Sequence, residues 1–356
     1  MYFPDRRKPV TGGCGKNIAL RSPCFAQARG DHPWSPVRRM RRTLFFTLRK
    51  TPIQSGLLSS FPRFMNNLSY MGSRLAKLVA NSTQQRVDST SPLLSASLPT
   101  GERVQFVIPP ATSAGCVAIA IRRPADEVWS IAELASRGIF RRTRRADQSL
   151  DDTERALQRL LAAGEFENFM RLAVGSRKNI LVSGPTGSGK TTWTKALIRE
   201  ISQRERLITI EDARELVLDG HPNHVRLFYS KDDQGVARVT PKQLLESCLR
   251  MKPDRILLAE LRAEEAFDYL RSVNSGHPGS ITSVHAASAE LAFEQVVLLV
   301  KQNRGGRDLA RADIKSLLYS LIDVVIQFGV EGHERFIKEI WYEPERKHAI
   351  ASAGAR

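Results

Sequence analysis

The stretch Asn179–Glu200, NILVSGPTGSGKTTWTKALIRE, limits the possible folds of this chain more than any other. Ile180, Leu181 and Val182 form a short apolar run of the kind buried strands carry. Glycines follow at positions 184, 187 and 189, within the spacing G-x-x-x-x-G-K-T that ends on Lys190 and Thr191. Beyond them Trp193, Ala196, Leu197 and Ile201 recur at helical spacing. A strand, a glycine loop and a helix in that order make a phosphate-binding loop. Glycines let successive backbone N–H groups turn toward one point, and the helix N-terminus adds its partial positive charge. The expected nucleotide-binding residues are Gly184, Pro185, Thr186, Gly187, Ser188, Gly189, Lys190, Thr191 and Thr192. Lys190 is placed to neutralise the β/γ-phosphates and the Thr191 hydroxyl to ligate Mg²⁺. ATP and Mg²⁺ are therefore the expected cofactors.

After the loop, apolar strand patterns alternate with helical ones: strands at 206–210, 225–228, 255–259 and 280–284, and helices at 241–250, 263–273 and 291–301. Such alternation predicts one mostly parallel sheet covered on both faces. A helix at 314–321 and two paired strands, 324–328 and 335–341, complete the pattern. Before the loop, LLSASL and RVQFVI flank the turn Pro99-Thr100-Gly101 as a hairpin, and CVAIAI at 116–121 reads as a third strand. The fold class is thus α/β: a RecA-like P-loop NTPase core with a smaller α+β N-terminal domain. The expected division is 71–140 for the partial N-terminal domain, 141–152 for a basic linker, 153–345 for the ATPase domain and 346–356 for a tail.

Residues 1–70 show no such pattern. Prolines at 4, 9, 23, 33, 36, 52 and 62 interrupt it, and only 38–48 suggests a short basic amphipathic segment. Residues 1–75 hold 14 Lys/Arg against 2 Asp/Glu, which is +12 of the net +17. A basic segment of this kind binds nucleic acid or anionic lipid, or stays solvated as a tail. Residues 1–70 are accordingly expected to be disordered or an aberrant start. Cys14, Cys24, Cys116 and Cys248 form no C-x-x-C pair and read as reduced thiols. No apolar run is long enough to cross a membrane as a helix.

Binding ATP requires only the loop, whereas hydrolysis requires a positioned water, a metal and charge stabilisation. Ligands in parallel sheets bind at the carboxyl ends of strands. Glu211 and Asp212 end one strand there, and either could polarise water. Ile256-Leu257-Leu258-Ala259-Glu260 is a Walker B pattern, in which a buried strand holds an acid that reaches Mg²⁺ through water. His277 and His285 flank the strand at 280–284, and either could sense the γ-phosphate. Arg122, Arg123, Arg226 and Arg262 are candidate sources of transition-state charge.

GPTGSGKTT, ITIED, MKPDRILLAELR and GHPGSITSVHA resemble the Walker A, Asp box, Walker B and His box of the secretion traffic ATPases. The wording LRMKPDRILLAELR is most similar to the VirB-type ATPases of bacterial type IV secretion, and the likeness runs from about Met71 to Trp341. The resemblance implies a hexameric ring, cytoplasmic and peripheral to the inner membrane, working with other secretion ATPases and inner-membrane subunits. It implies that Glu211 is the catalytic glutamate, Glu260 the Walker B acid, His277 and His285 the His box, and Arg122 an N-terminal-domain arginine that reaches the nucleotide. Arg262 joins them as a candidate catalytic residue. The leading expectation is a ring ATPase powering substrate export or pilus assembly, with possible contact to an anionic membrane surface and no direct nucleic-acid binding. The alternatives are a nucleotide-binding assembly subunit with impaired hydrolysis and a nucleic-acid translocase.

Overall fold

The computed structural model describes residues 43–48, 61–125, 127–143, 149–230, 235–263 and 265–353. Its N-terminal unit is a four-stranded antiparallel sheet of order β1-β4-β3-β2, with β1 Thr43–Leu48, β2 Leu93–Ser97, β3 Arg103–Val107 and β4 Val117–Arg122. Helix α1 (Phe61–Ser82) lays Ala76, Val79 and Ala80 on one face of this sheet, against Leu94, Val104, Phe106 and Ile119. The other face sends Val107, Ala118 and Ala120 into the main core of the ATPase unit. The backbone also joins the two units. Phe228 N donates to Ala111 O at 2.9 Å, and Thr112 Oγ1 donates to the Arg226 carbonyl at 2.8 Å.

β1 and the first ten residues of α1 fall inside the 1–70 segment, where no pattern is expected. β1 completes its hydrogen bonding on the open edge of β4, a partner no local window of sequence can reveal. Its sequence, TLFFTL, sets two phenylalanines side by side, which hides strand alternation. Pro62 sits in the first turn of α1, where a missing N–H costs nothing, so it does not break the helix. The prolines from 4 to 52 and the basic run at 38–42 lie outside the described residues.

Short helix α2 (Ile131–Ser136) precedes the linker, of which residues 144–148 lie outside the described set. The ATPase unit opens with α3 (Asp152–Ala162), started by an Asp151–Glu154 capping box, and α4 (Phe166–Gly175). Then come β5 (Ile180–Ser183), α5 (Lys190–Arg199), β6 (Leu207–Glu211), β7 (His224–Phe228), α6 (Pro241–Arg250), β8 (Arg255–Leu258), α7 (Glu265–Asn274), β9 (Ile281–Val284), α8 (Ala289–Gln302), α9 (Arg311–Leu321), β10 (Val324–Glu331), β11 (Glu334–Trp341) and α10 (Pro344–Ala353). Alternate strand residues face opposite layers. Leu181, Ile208, Ile210 and Val325 pack with α6–α9, while Ile180, Val182, Leu207 and Val324 pack with α3–α5.

The expected single sheet is instead two sheets side by side, β7-β6-β8 and β9-β5-β10-β11. At the seam between β8 and β9, side chains replace part of the ladder. Ser280 Oγ donates to the Ile256 carbonyl at 2.8 Å and Ser283 Oγ to the Ala259 carbonyl at 2.9 Å. Just past β8, Leu261 N donates to the Ser283 carbonyl at 2.8 Å. The hydroxyls of these two buried serines are satisfied this way. The expected tail at 346–356 is also structured through residue 353. α10 starts on Pro344 and is held by Lys347 on Asp323 (2.7 Å) and His348 beside Glu154 (3.0 Å).

Candidate nucleotide site

The phosphate loop connects the carboxyl end of β5 to the N-terminus of α5. Gly184, Gly187 and Gly189 all take positive φ, +154°, +74° and +97°. At Gly184 space is also lacking, because a Cβ there would stand 2.8 Å from Phe328 Cβ and 2.9 Å from Ser188 Oγ. Gly189 is the left-handed N-cap that lets Lys190 begin the helix without a side-chain cap, leaving the first helical N–H groups for a ligand. Thr191 and Thr192 are exposed at this helix start. Ser188 Oγ and Thr194 Oγ1 are buried without a protein partner, as expected of a cradle that supplies donors to something else. These residues fit a nucleotide phosphate chain.

Lys190 is buried, and its Nζ rests on the loop itself, 2.8 Å from the Gly184 carbonyl and 2.9 Å from that of Pro185. Burial lowers its pKa, partly opposed by the charge of Glu260. The same Nζ lies 3.2 Å from His285 Nδ1. An ammonium has only donors, so Nδ1 accepts and the proton of the neutral ring sits on Nε2. Nε2 lies 2.7 Å from Glu260 Oε1, a close contact without hydrogen-bond alignment, which leaves that buried oxygen without a donor in the protein. The other Glu260 oxygen pairs with Arg262 at 2.6 Å, and Arg262 also reaches Asp212 at 2.7 Å. Lys190, His285, Glu260, Arg262 and Asp212 thus form one continuous polar chain across the ends of β5, β9, β8 and β6. The two carboxylates raise the pKa of Arg262, chiefly through its bond to Glu260.

Glu211 does not join this chain. Its side chain is fully buried, and its carboxylate already accepts five hydrogen bonds. Arg226 supplies two (3.0 and 2.7 Å), Thr209 Oγ1 one (2.7 Å), and the backbone N–H groups of Glu215 and Leu216 one each (2.9 Å). An acid so saturated has no lone pair left for a water. Asp212, the next residue, points to the site instead. The period of two along a strand explains this, since neighbours at a strand end face opposite sides.

His277 and Arg122 are not at the phosphate loop either. His277 precedes β9 and His285 follows it, so the strand carries them to opposite ends. His277 and Arg122 instead line a common cleft against the N-terminal sheet. Burial lowers the pKa of His277. Arg226, a candidate source of transition-state charge, is spent on Glu211. One contact has no sequence signal at all: Arg335, in the second residue of β11, reaches over the loop and donates from Nε to the Gly187 carbonyl at 2.7 Å. Only the fold of the β10–β11 hairpin places it there.

With this geometry in view, the likeness to known proteins is specific. The family model described as type II/IV secretion system protein matches residues 63–327. The chain belongs to that family. The type IV secretion system protein VirB11 of Bartonella quintana is 48% identical over 288 residues, covering 78% of this chain and 80% of that protein. A PtlH homolog of Bordetella bronchiseptica is 42% identical over 278 residues, covering 75% and 80%. The crystal structure of the VirB11 ATPase of Brucella suis, in complex with sulphate, superposes with a TM-score of 0.74 at 46% identity over 79% of this chain and 85% of that one. As a member of the secretion ATPase family, the chain has the α/β ATPase fold with an N-terminal domain, and it is a nucleotide-binding ATPase. These relatives favour neither a hydrolysis-impaired assembly subunit nor a nucleic-acid translocase.

Proposed function

We propose that this secretion ATPase works as a Mg²⁺-dependent homohexameric ring that energises type IV secretion, by substrate export or pilus assembly. The observation that carries the reading is the polar chain from Lys190 through His285, Glu260 and Arg262 to Asp212. Lys190 holds carbonyls of its own loop, a place it can leave for phosphate oxygens. When it leaves, His285 loses its donor, and the change passes to Glu260 and Arg262. His285 is therefore the group that reports an occupied phosphate site to the Walker B acid. Glu260 and Asp212 are the carboxylates that would position an attacking water, and Arg262 pairs with both. The Thr191 hydroxyl and the Glu260 carboxylate are the groups suited to hold Mg²⁺, which would supply charge neutralisation at the phosphates. Glu211 acts by fixing Arg226 and the 211–216 turn, and Arg122 is not part of this chain's own phosphate site.

No helix among the described residues is long and apolar enough to cross a membrane. The reading places the ring in the cytoplasm, peripheral to the inner membrane, beside other secretion ATPases and inner-membrane subunits. The test is ATP turnover by the full chain with Mg²⁺, compared with Lys190→Ala, alongside the mass of the assembly in solution. Turnover at least a hundredfold above that of the variant, from a hexamer, is expected. Equal turnover by the two proteins defeats the motor reading.

A further inference from the structure

One cross-strand row runs through all four strands of the sheet β9-β5-β10-β11. Val284 on β9 pairs with Ser183 on β5, Ser183 with Gln327 on β10, and Gln327 with Glu339 on β11. Register partners share a face of a sheet, and Val284 places this row on the face that packs with α6–α9. Directly after Val284 the chain leaves β9 with His285 and returns to the same row before α8 starts at Ala289. Two members of the row take hold of that turn. Gln327 Nε2 donates to the Ala286 carbonyl at 3.1 Å, and Ala289 N donates to Glu339 Oε2 at 3.4 Å. The Glu339 carboxylate also suits the positive end of α8.

Packing alone gives no reason for an amide at Gln327. The preceding residues of the same face, Leu181 and Val325, belong to the apolar core, and Gln327 itself is only 1% exposed. Its Nε2 also serves the Phe328 carbonyl, at 3.0 Å. Both acceptors are carbonyls, which only the NH₂ end of the amide can serve, so the orientation of the amide is fixed. That orientation leaves Gln327 Oε1 buried with no partner among the described residues, and Ser183 Oγ beside it in the row is in the same state. A buried amide oxygen without a donor lowers stability, so the side chain is explained by its donor end. The donor end fixes the backbone one residue beyond His285. The His285 ring meets Lys190 at 3.2 Å on one side and lies against Glu260 on the other. A shift of the Ala286 peptide moves the imidazole relative to both.

We propose that Gln327 is a positioning residue for His285, with Glu339 as its outer partner. The pair holds the 285–289 turn so that the imidazole stands between the phosphate-loop lysine and the Walker B acid. The inference rests on the role given to His285 in the polar chain above. It also gives the β10–β11 hairpin a double part in the site: Arg335 steadies the phosphate loop, while Gln327 and Glu339 steady the turn that carries His285.

The test is a double-mutant cycle on steady-state ATP turnover by the full chain. Gln327→Met keeps the length of the side chain and removes the donor. Alone, it should lower kcat at least about fivefold and change the KM for ATP less than about twofold, because it displaces His285 and leaves the phosphate loop in place. In a His285→Ala chain, which has no imidazole to position, the same substitution should change kcat less than about 1.5-fold. A side chain needed only for folding lowers turnover by the same factor in both backgrounds, and that result overturns the proposal. So does an unchanged kcat in the single variant. If Gln327→Met melts near the assay temperature, Glu339→Ala decides, because Glu339 is exposed and its loss spares the core. It should lower kcat at least about twofold with His285 present and leave it unchanged in the His285→Ala chain; equal factors, or no change in either, overturn the proposal. A His285→Ala chain that turns over like the wild type overturns it by removing the role of His285 itself, which the cycle distinguishes from a failure at Gln327. The comparison with Lys190→Ala tests the motor reading separately.

Discussion

Replacing Glu211 with glutamine separates a structural acid from a catalytic one. The carboxylate is buried and accepts five hydrogen bonds, two of them from the Arg226 guanidinium. A glutamine keeps one acceptor oxygen but turns an NH₂ toward groups that are themselves donors. It also leaves Arg226, only 14% exposed at its side chain, without its counter-charge. Breaking a buried pair from one side costs about 3–5 kcal/mol. That is a large part of the roughly 5–15 kcal/mol that stabilises a typical domain. At about 2–4 °C per kcal/mol for a domain of this size, the melting temperature should fall by on the order of 10 °C. Removing both charges with Glu211→Gln and Arg226→Met should restore part of the loss, because no unpaired ion remains. The assay is thermal unfolding of the three proteins together with ATP turnover well below the lower melting point. A Glu211→Gln protein that melts with the wild type yet loses turnover a hundredfold or more would refute the structural assignment and restore Glu211 as the group that activates water.

Two further outcomes follow from side chains at other depths. Burial raises the pKa of Asp268, against weaker opposition from Lys242 and Arg271. The folded state therefore holds this proton more tightly than the unfolded chain, and its stability contribution declines as pH rises through the folded pKa. Asp268→Asn, which keeps an acceptor for Asn303, should be more stable than the wild type at pH 7, with the difference vanishing below the ordinary carboxylate range; denaturant titration at pH 3.5 and pH 7 checks it, and a variant less stable at pH 7 contradicts the sign. Arg335→Ala removes the bond that steadies the Gly187 carbonyl on the outside of the phosphate loop. The KM for ATP should rise about three- to tenfold with kcat changed less than about twofold, since the contact acts on loop geometry and not on the reacting atoms; an unchanged KM in steady-state kinetics removes Arg335 from the site.

The strand–loop–helix at 180–199 was legible because each of its requirements is local. The apolar run, the glycines at left-handed φ and the helical spacing all lie within one short window. For the same reason α6 has the bounds its sequence predicts, with Thr240 as N-cap and Pro241 in the first turn. The β-hairpin at 93–107 is equally local, with its turn at Gly101. Elements whose stability comes from a distant partner were not legible. β1 exists on the edge of β4, and α10 is held by Asp323 and Glu154.

The same division runs through the site. Sequence by itself determined the glycine loop at Gly184–Thr191 between a strand and a helix, and that Glu260 and His285 follow the strands beside it. A residue's position along a strand follows from counting. Which acid joins the polar chain to Lys190, and which cation each acid meets, was decided only by the tertiary structure. Glu211 and Asp212 are adjacent in sequence, yet one is sealed by Arg226 and the other opens onto Arg262. His277 and His285 belong to one motif but sit at opposite ends of β9, and Arg335 reaches the loop from a hairpin more than 140 residues away in sequence. The physical reason is range. Backbone preferences act over a few residues, whereas charge pairing and packing act between whatever side chains the fold brings within a few ångströms.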